Sequence, residues 1–190
     1  SILETTMSCV EDAGLIPRVV DVDFFALQNA FEANYPLQPS ESALLVDIGA
    51  AAMNLLVVQD GIPLFTKDSA LGGQNLTAEI QKQLGLSYSD AETLKAGGNA
   101  EALPQEVSDL MSAMSENFAR EIKRTLDFYA ASSSGNAITS VILAGGASKV
   151  PGLSRIVEDT VQVPTQIMNP FHAISYDPAV FTQEYVNSIG

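Results

Sequence analysis

Three places in this sequence put chemistry-bearing residues where a ligand can meet them. The first is Asp47-Ile48-Gly49-Ala50, which follows the apolar run Ala43 to Val46. An acidic residue at the end of a buried strand finds no partner in the core. It projects at the strand's carboxyl end, where ligands of α/β folds sit. Gly49, with Ala50, Ala51 and Ala52 around it, keeps side chains clear, so backbone N–H groups can approach a phosphate. A carboxylate beside a polyphosphate becomes useful when Mg²⁺ or a metal-bound water lies between them. Asp47 is therefore the candidate for Mg²⁺ or water positioning. An ordinary β-turn with Asp as turn former accounts for the same residues.

The second place is Gly145-Gly146-Ala147, between the apolar Val141 to Ala144 and Pro151-Gly152-Leu153. Adjacent glycines permit positive φ and leave no side chain above the backbone. A flat ring can lie there with its phosphates near a helix N-terminus. A tight strand-to-helix connection is the plainer alternative. The third place is Glu92 and Lys95, three apart and so on one helical face. Taken alone they are a surface ion pair worth about 0.3–0.5 kcal/mol. The single His172 has no metal-binding motif around it and reads as a loop residue beside Asn169-Pro170. The single Cys9 excludes an internal disulfide and a multi-cysteine zinc site.

These residues need elements to hold them. Ile2 to Ala13 reads as a helix stopped by Gly14, and Pro17 to Val22 as a short strand. Asp23 is placed to cap a helix from Phe24 to about Ala33. Ala43–Ile48, Met53–Gln59 and Ile62–Asp68 form a three-strand meander with Asp60-Gly61 as its hairpin turn. Gly72-Gly73 ends the third strand. Asn75 or Thr77 then caps a helix that Gly85 stops, and Ser87 to Ala96 forms another, stopped by Gly97-Gly98. A long helix from about Pro104 to Ser132 carries Val107, Leu110, Met114, Phe118, Ile122, Leu126 and Tyr129 on one face. Ala137–Ala144 is a buried strand, Pro151 to about Thr160 a helix, Val163–Met168 a last strand, and Pro178–Ile189 a terminal helix. This order predicts an α/β fold, a mixed sheet with flanking helices.

The chain has 190 residues, 46% of them hydrophobic and 17% charged, which fits a globular protein. Nine Lys and Arg against twenty-three Asp and Glu leave a net charge of −14. Such a surface repels nucleic acid and anionic lipid. No apolar run is long enough to span a bilayer, and the acidic N-terminal stretch lacks the basic region of a signal peptide.

In combination these motifs resemble the second nucleotide-binding domain of the actin, sugar kinase and Hsp70 superfamily, an actin-like (RNase H-like) fold. Asp47 and Gly49 match its second phosphate motif. Gly145, Gly146 and Pro151 match its adenosine motif. Glu92 and Lys95 match the helix that reaches the ribose and base in actin-like filament proteins. Within the superfamily the chain resembles the type IV pilus assembly PilM family, relatives of the division protein FtsA. The stretches that carry this are A-G-L-I-P-R-V-V-D-V-D-F-F-A-L-Q-N-A-F, A-L-L-V-D-I-G-A, L-G-G-Q-N-L-T-A-E-I-Q-K-Q-L-G-L-S-Y-S-D-A-E-T-L-K and S-V-I-L-A-G-G-A-S-K-V-P-G-L.

The resemblance implies an ATP and Mg²⁺ site formed by Asp47, Gly49, Ala50, Gly72, Gly73, Glu92, Lys95, Gly145, Gly146 and Ala147. Phosphate would be held there by backbone N–H groups and Mg²⁺ rather than by lysines. It implies a cytoplasmic scaffold, peripheral to the inner membrane through its partners and without direct membrane insertion. Those partners would be the N-terminal cytoplasmic peptide of a PilN-like bitopic protein and other pilus platform proteins, not nucleic acid. Ala50 to Ala52 replace the glycine-rich loop of FtsA-like chains, which implies at most a slow ATPase. The alternatives are an FtsA-like division protein, or a kinase or phosphatase of the same superfamily.

No first phosphate loop of the D-x-G-x-x-S/T type precedes Asp47. The expectation is therefore an incomplete two-domain ATPase fold. Residues 1–42 would be the tail of the first domain and its inserted subdomain. Residues 43–176 would be the second domain with a helical insertion at about 75–133, and 177–190 the start of a C-terminal helix.

Overall fold

The computed structural model describes residues 1–95, 104–132, 137–183 and 185–186. At its centre is a five-stranded sheet: β1 (Ser42–Ile48), β2 (Met53–Gln59), β3 (Ile62–Ser69), β4 (Ile138–Ala144) and β5 (Thr165–Ile167), in the order β3-β2-β1-β4-β5. The strands β1, β2 and β3 form an antiparallel meander. The strands β1, β4 and β5 run parallel. This is the expected mixed α/β sheet with flanking helices.

Burial follows position in the sheet. Ala43, Leu44, Leu45 and Val46 of the central β1 are fully buried, as a strand covered on both faces should be. β3 is an edge strand whose residues are largely exposed. Asp60 and Gly61 adopt φ of +51° and +75°, the left-handed pair that a two-residue hairpin turn demands.

One face of the sheet presents Leu44, Val46 and Ile48 to α3 (Gly73–Leu84), α5 (Gln105–Ser132) and α6 (Leu153–Val161). The other face presents Ala43 and Leu45 to α2 (Asp23–Asn34) and Met168. α5 buries Val107, Met111, Met114, Phe118, Ile122 and Tyr129, with Ala119 and Thr125 beside them. That stripe is wider than the predicted one because the helix packs against both α6 and the sheet. A shorter helix, α4 (Tyr88–Lys95), lies against α3. The first helix, α1 (Ile2–Asp12), buries no side chain.

Several local expectations are corrected. Residues 17–22 are not a strand: a strand needs a ladder partner, and Val19 and Val20 stand 84% and 59% exposed. Asp23 is the first residue of α2 rather than its cap, which is Val22 without a side-chain bond. α3 starts at Gly73, two residues before Asn75, whose side chain instead accepts from the Gly72 N–H at 2.8 Å.

The Gly145-Gly146 turn leads into a 3-10 turn over Gly146–Lys149, and α6 begins only after Pro151-Gly152. Gly152 has φ of +82°, which breaks the continuity that a helix from Pro151 would need. The last strand is shortened to Thr165–Ile167. Pro178, Ala179 and Val180 form a turn, and helical backbone appears at Gln183, Tyr185 and Val186. Gly97-Gly98 and residues 187–189 lie outside the described residues. Among the described residues, no helix is long and apolar enough to cross a membrane.

Candidate functional site

The carboxyl ends of β1 and β4 lie side by side, with Asp47 opposite Ala144 in the ladder. The meander brings the end of β3 to the same edge, because Met53 pairs with both Ile48 and Ser69. Three glycine-containing turns therefore converge there: the one after β1, the one between β3 and α3, and the one after β4.

The first two turns are stitched together by backbone bonds. Gly49 N–H donates to Ala52 O at 2.9 Å, Gly73 N–H to Gly49 O at 2.9 Å, and Gln74 N–H to Ala50 O at 2.8 Å. The first amides of α3, which would otherwise lack partners, are thus satisfied by the alanine loop. A Cβ on Gly72 would collide with Ala50 O and stand 2.8 Å from the Ala51 carbonyl carbon. Glycine is what allows the two turns to close.

Together with α4, the turns enclose a cavity of about 360 Å³ lined by Gly49, Ala50, Gly73, Glu92, Lys95, Gly146, Ala147, Lys149 and Val150. That size lies within the usual range for small-molecule sites. Seven of the ten expected site residues meet on its wall. Asp47, Gly72 and Gly145 stand immediately behind it.

Gly73 is where the three turns and α4 meet. A Cβ there would lie 3.1 Å from the Ala147 Cβ and 3.5 Å from Lys95 Nζ. Gly146 differs, because an added Cβ would meet nothing within 4 Å. The space above its backbone is open.

Glu92 and Lys95 are more than a surface pair. Lys95 Nζ donates to Glu92 Oε1 at 2.6 Å and to Thr77 Oγ1 at 3.0 Å, and its side chain is only 16% exposed. Thr77 Oγ1 in turn donates to Glu92. Burial pushes the Glu92 carboxyl up, but bonds from Lys95, Thr77 and Tyr88 and the charge of Lys95 outweigh it, and the net direction is down. Glu92 is therefore held as a carboxylate at the cavity wall.

Asp47 continues the alternation of Ala43 and Leu45 and so lies on the α2 face. Burial pushes its carboxyl up, a hydrogen bond from Asn54 pulls it down, and the charge of Asp23 pushes it up, for a net rise. A Cβ on Gly145 would collide with Asp47 Oδ1 and stand 2.6 Å from Ile48 O. Among the described residues, no group of three or more His, Cys, Asp or Glu is arranged to hold a metal ion. The donors near Asp47 are thus its own carboxylate and that of Asp23 rather than a cage. That donor set suits a hard cation that keeps most of its waters.

Sequence reasoning offered Thr77 only as a helix cap and did not name Thr77, Lys149 or Val150 as site residues. Lys149 carried a usable signal, being a lysine three residues after a glycine pair at a strand end. Lys95 and Lys149 are two of only nine basic residues in a chain of net charge −14, yet both line this one cavity. Positive side chains therefore accompany the backbone at this wall. His172 lies in a loop, as expected, with its ring stacked on Tyr35 at 5.3 Å. Cys9 is exposed.

Comparison with known proteins gives this arrangement a context. The chain is similar to a solved PilM-PilN type IV pilus biogenesis complex, with TM-score 0.86 and 28% identity, over 99% of this chain and 53% of that one. It is 25% identical to cell division protein FtsA of Bacillus subtilis (strain 168), over 96% of this chain and 46% of the relative. It is 27% identical to ethanolamine utilization protein EutJ of Escherichia coli (strain K12), over 73% of this chain and 45% of the relative. MreB5 of Spiroplasma citri, solved with AMPPNP bound, shares the fold at TM-score 0.65 and 15% identity, over 90% of this chain and 61% of that one.

The chain thus spans about half the length of these curated relatives. The model of one family, type IV pilus assembly protein PilM, matches residues 2–188. This actin-like chain belongs to the type IV pilus assembly protein PilM family.

Proposed function

We propose that this chain supplies the second nucleotide-binding half of an actin-like scaffold in the type IV pilus assembly platform. The observation that carries the reading is the similarity to the PilM-PilN complex over 99% of the chain, with the expected motif residues gathered on one cavity. The intact protein binds ATP with Mg²⁺ between its two domains and docks the N-terminal cytoplasmic peptide of a PilN-like partner. It works beside the inner membrane through that partner and other platform proteins.

The cavity fits such a nucleotide. The open space above Gly146 lets a flat base approach the backbone. Glu92 and Lys95 face the sugar and base, while Gly49 and Ala50 face the phosphates. Lys149 adds positive charge to the wall. Asp47 would be the carboxylate that holds Mg²⁺ through its waters. Bound nucleotide supplies energy that holds the two domains closed. Ala50 ties the loop to α3 through its carbonyl, and Ala50 to Ala52 carry no side chain able to activate water, so ATP turnover is at most slow.

The test is calorimetric titration of the intact protein with MgATP, comparing wild type with Gly146→Arg. The arginine would project into the open space above residue 146. At least a tenfold loss of affinity is expected, and an unchanged affinity would overturn the assignment. Capture of the protein by an immobilised PilN N-terminal peptide tests the partner. The similarity to FtsA over 96% of the chain supports one alternative, a division filament protein. Filaments of the intact protein on adding ATP, without capture by the PilN peptide, would favour that alternative.

A further inference from the structure

We propose that Thr77 is a positioning residue for the nucleotide cavity, fixing Glu92 and Lys95 as one rigid unit on its wall. This inference rests on the nucleotide reading above and goes beyond it by naming what sets the geometry of that wall.

Thr77 lies one turn into α3 and is 1% exposed. It does not line the cavity, so any influence on a ligand must pass through its neighbours. Its hydroxyl accepts from Lys95 Nζ at 3.0 Å. It donates to Glu92 Oε1 and also lies 3.2 Å from Gly73 O, the acceptor one turn back in its own helix. One hydroxyl proton therefore has two acceptors, and Lys95 reaches the same Gly73 carbonyl at 3.5 Å.

Gly73, Thr77, Glu92 and Lys95 form a closed polar network that crosses from α3 to α4. On an isolated helix, Glu92 and Lys95 would sample many rotamers, and an exposed pair of this kind contributes little. The buried hydroxyl removes that freedom by satisfying both side chains at once. The wall then meets a ligand already ordered, so binding loses less side-chain entropy. Serine preserves the hydroxyl, whereas valine keeps the shape but removes both the donor to Glu92 and the acceptor for Lys95.

The experiment is MgATP titration of the intact protein carrying Thr77→Val, Thr77→Ser, Glu92→Gln and the double variant Thr77→Val/Glu92→Gln, with Gly146→Arg as reference. Thr77→Val should weaken binding about tenfold, and Thr77→Ser should restore it to within about twofold of wild type. In the Glu92→Gln background, Thr77→Val should add less than about twofold, because residues that act as one unit are not additive. A loss in Thr77→Val that adds in full to that of Glu92→Gln would overturn the proposal. So would wild-type affinity in Thr77→Val while Gly146→Arg abolishes binding, and that result leaves the nucleotide reading intact. Wild-type affinity in Gly146→Arg would overturn the reading and this proposal together. If Thr77→Val does not fold, Thr77→Ser and Glu92→Gln carry the test. A Thr77→Ser protein that folds like wild type but binds as weakly as Glu92→Gln would overturn the proposal.

Discussion

The two faces of the sheet are built differently. One carries Leu44, Val46 and Ile48 under three helices and continues into a core with Phe118, Ile122 and Leu153. The other carries Ala43, Leu45 and the carboxylate of Asp47 under α2, with Phe31 as its large buried ring and half-buried neighbours around it. The same strand feeds both, since alternate residues of β1 point opposite ways. The dense face shapes the cavity wall through α3 and α4. The sparse face holds the acidic group behind that wall. Packing rigidity and tolerance of a half-buried carboxylate are thus separated by the thickness of one sheet.

Truncating a buried ring on each face should expose the contrast most strongly. Phe118→Ala should destabilise by about 4 kcal/mol, because the surrounding side chains are locked and leave a cavity. Phe31→Ala should cost about 2–3 kcal/mol, because Phe24, Leu27 and Tyr35 are only partly buried and can close over the gap. Urea unfolding monitored by circular dichroism reads both. Equal losses would remove the distinction between the faces.

The adjacent glycines sharpen the contrast at the point where the faces meet. Gly145 has φ of +82°, and its missing Cβ points at Asp47 on the sparse side. Alanine there adds a backbone strain and a clash, each worth roughly 1–3 kcal/mol, so Gly145→Ala should lose about 3 kcal/mol. Gly146→Ala meets open space and should stay within about 1 kcal/mol. Thermal unfolding of the two variants measures the difference. A Gly146→Ala protein as unstable as Gly145→Ala would mean that the turn, not the Asp47 contact, sets the requirement.

The smallest effect is in pH dependence, and its sign differs between the faces. The Asp47 carboxyl is raised by burial and by Asp23 against the Asn54 bond. As pH climbs above 3.8, the unfolded chain loses this proton before the folded one, so Asp47 lowers stability as pH rises through its folded value. Glu92 and Glu121 run the other way. Burial pushes Glu121 up, but bonds and charge from Lys67 and Arg124 bring it down. Its contribution is present above the unfolded value of 4.5 and is lost as pH falls through the folded one. Asp47→Asn should therefore gain stability relative to wild type near pH 7 and lose that advantage near pH 3.5. Lys67→Met should move acid unfolding to higher pH. Urea midpoints across pH 3–8 check both, and a flat difference for Asp47→Asn would show that its ionisation is not opposed by the fold.

Much of the architecture was legible in the residues themselves. Met53–Gln59 appears with the bounds its apolar run implies, and the Asp60-Gly61 hairpin with the backbone its turn chemistry demands. The 28-residue α5 follows its apolar stripe. Glycine ended α3 at Gly85, where φ is +65°. The errors fell where local pattern lacked a partner. Residues 17–22 alternate like a strand, but β propensity expresses a fit to neighbouring strands rather than a backbone preference. Asn75 and Thr77 both look like caps, and the backbone took Gly72 instead because the alanine loop supplied acceptors for the first amides of α3.

Sequence alone determined the elements, the glycine turns, the acidic surface and the motif residues, because these depend on near neighbours and on side-chain type. Tertiary structure decided which of them share a wall. It brought Thr77 to Glu92 and Lys95 across two helices, put Lys149 beside them, and turned Asp47 to the far side of the sheet. Those outcomes depend on how helices pack and which face a strand residue occupies once its neighbours are in place, and no spacing along the chain encodes that distance.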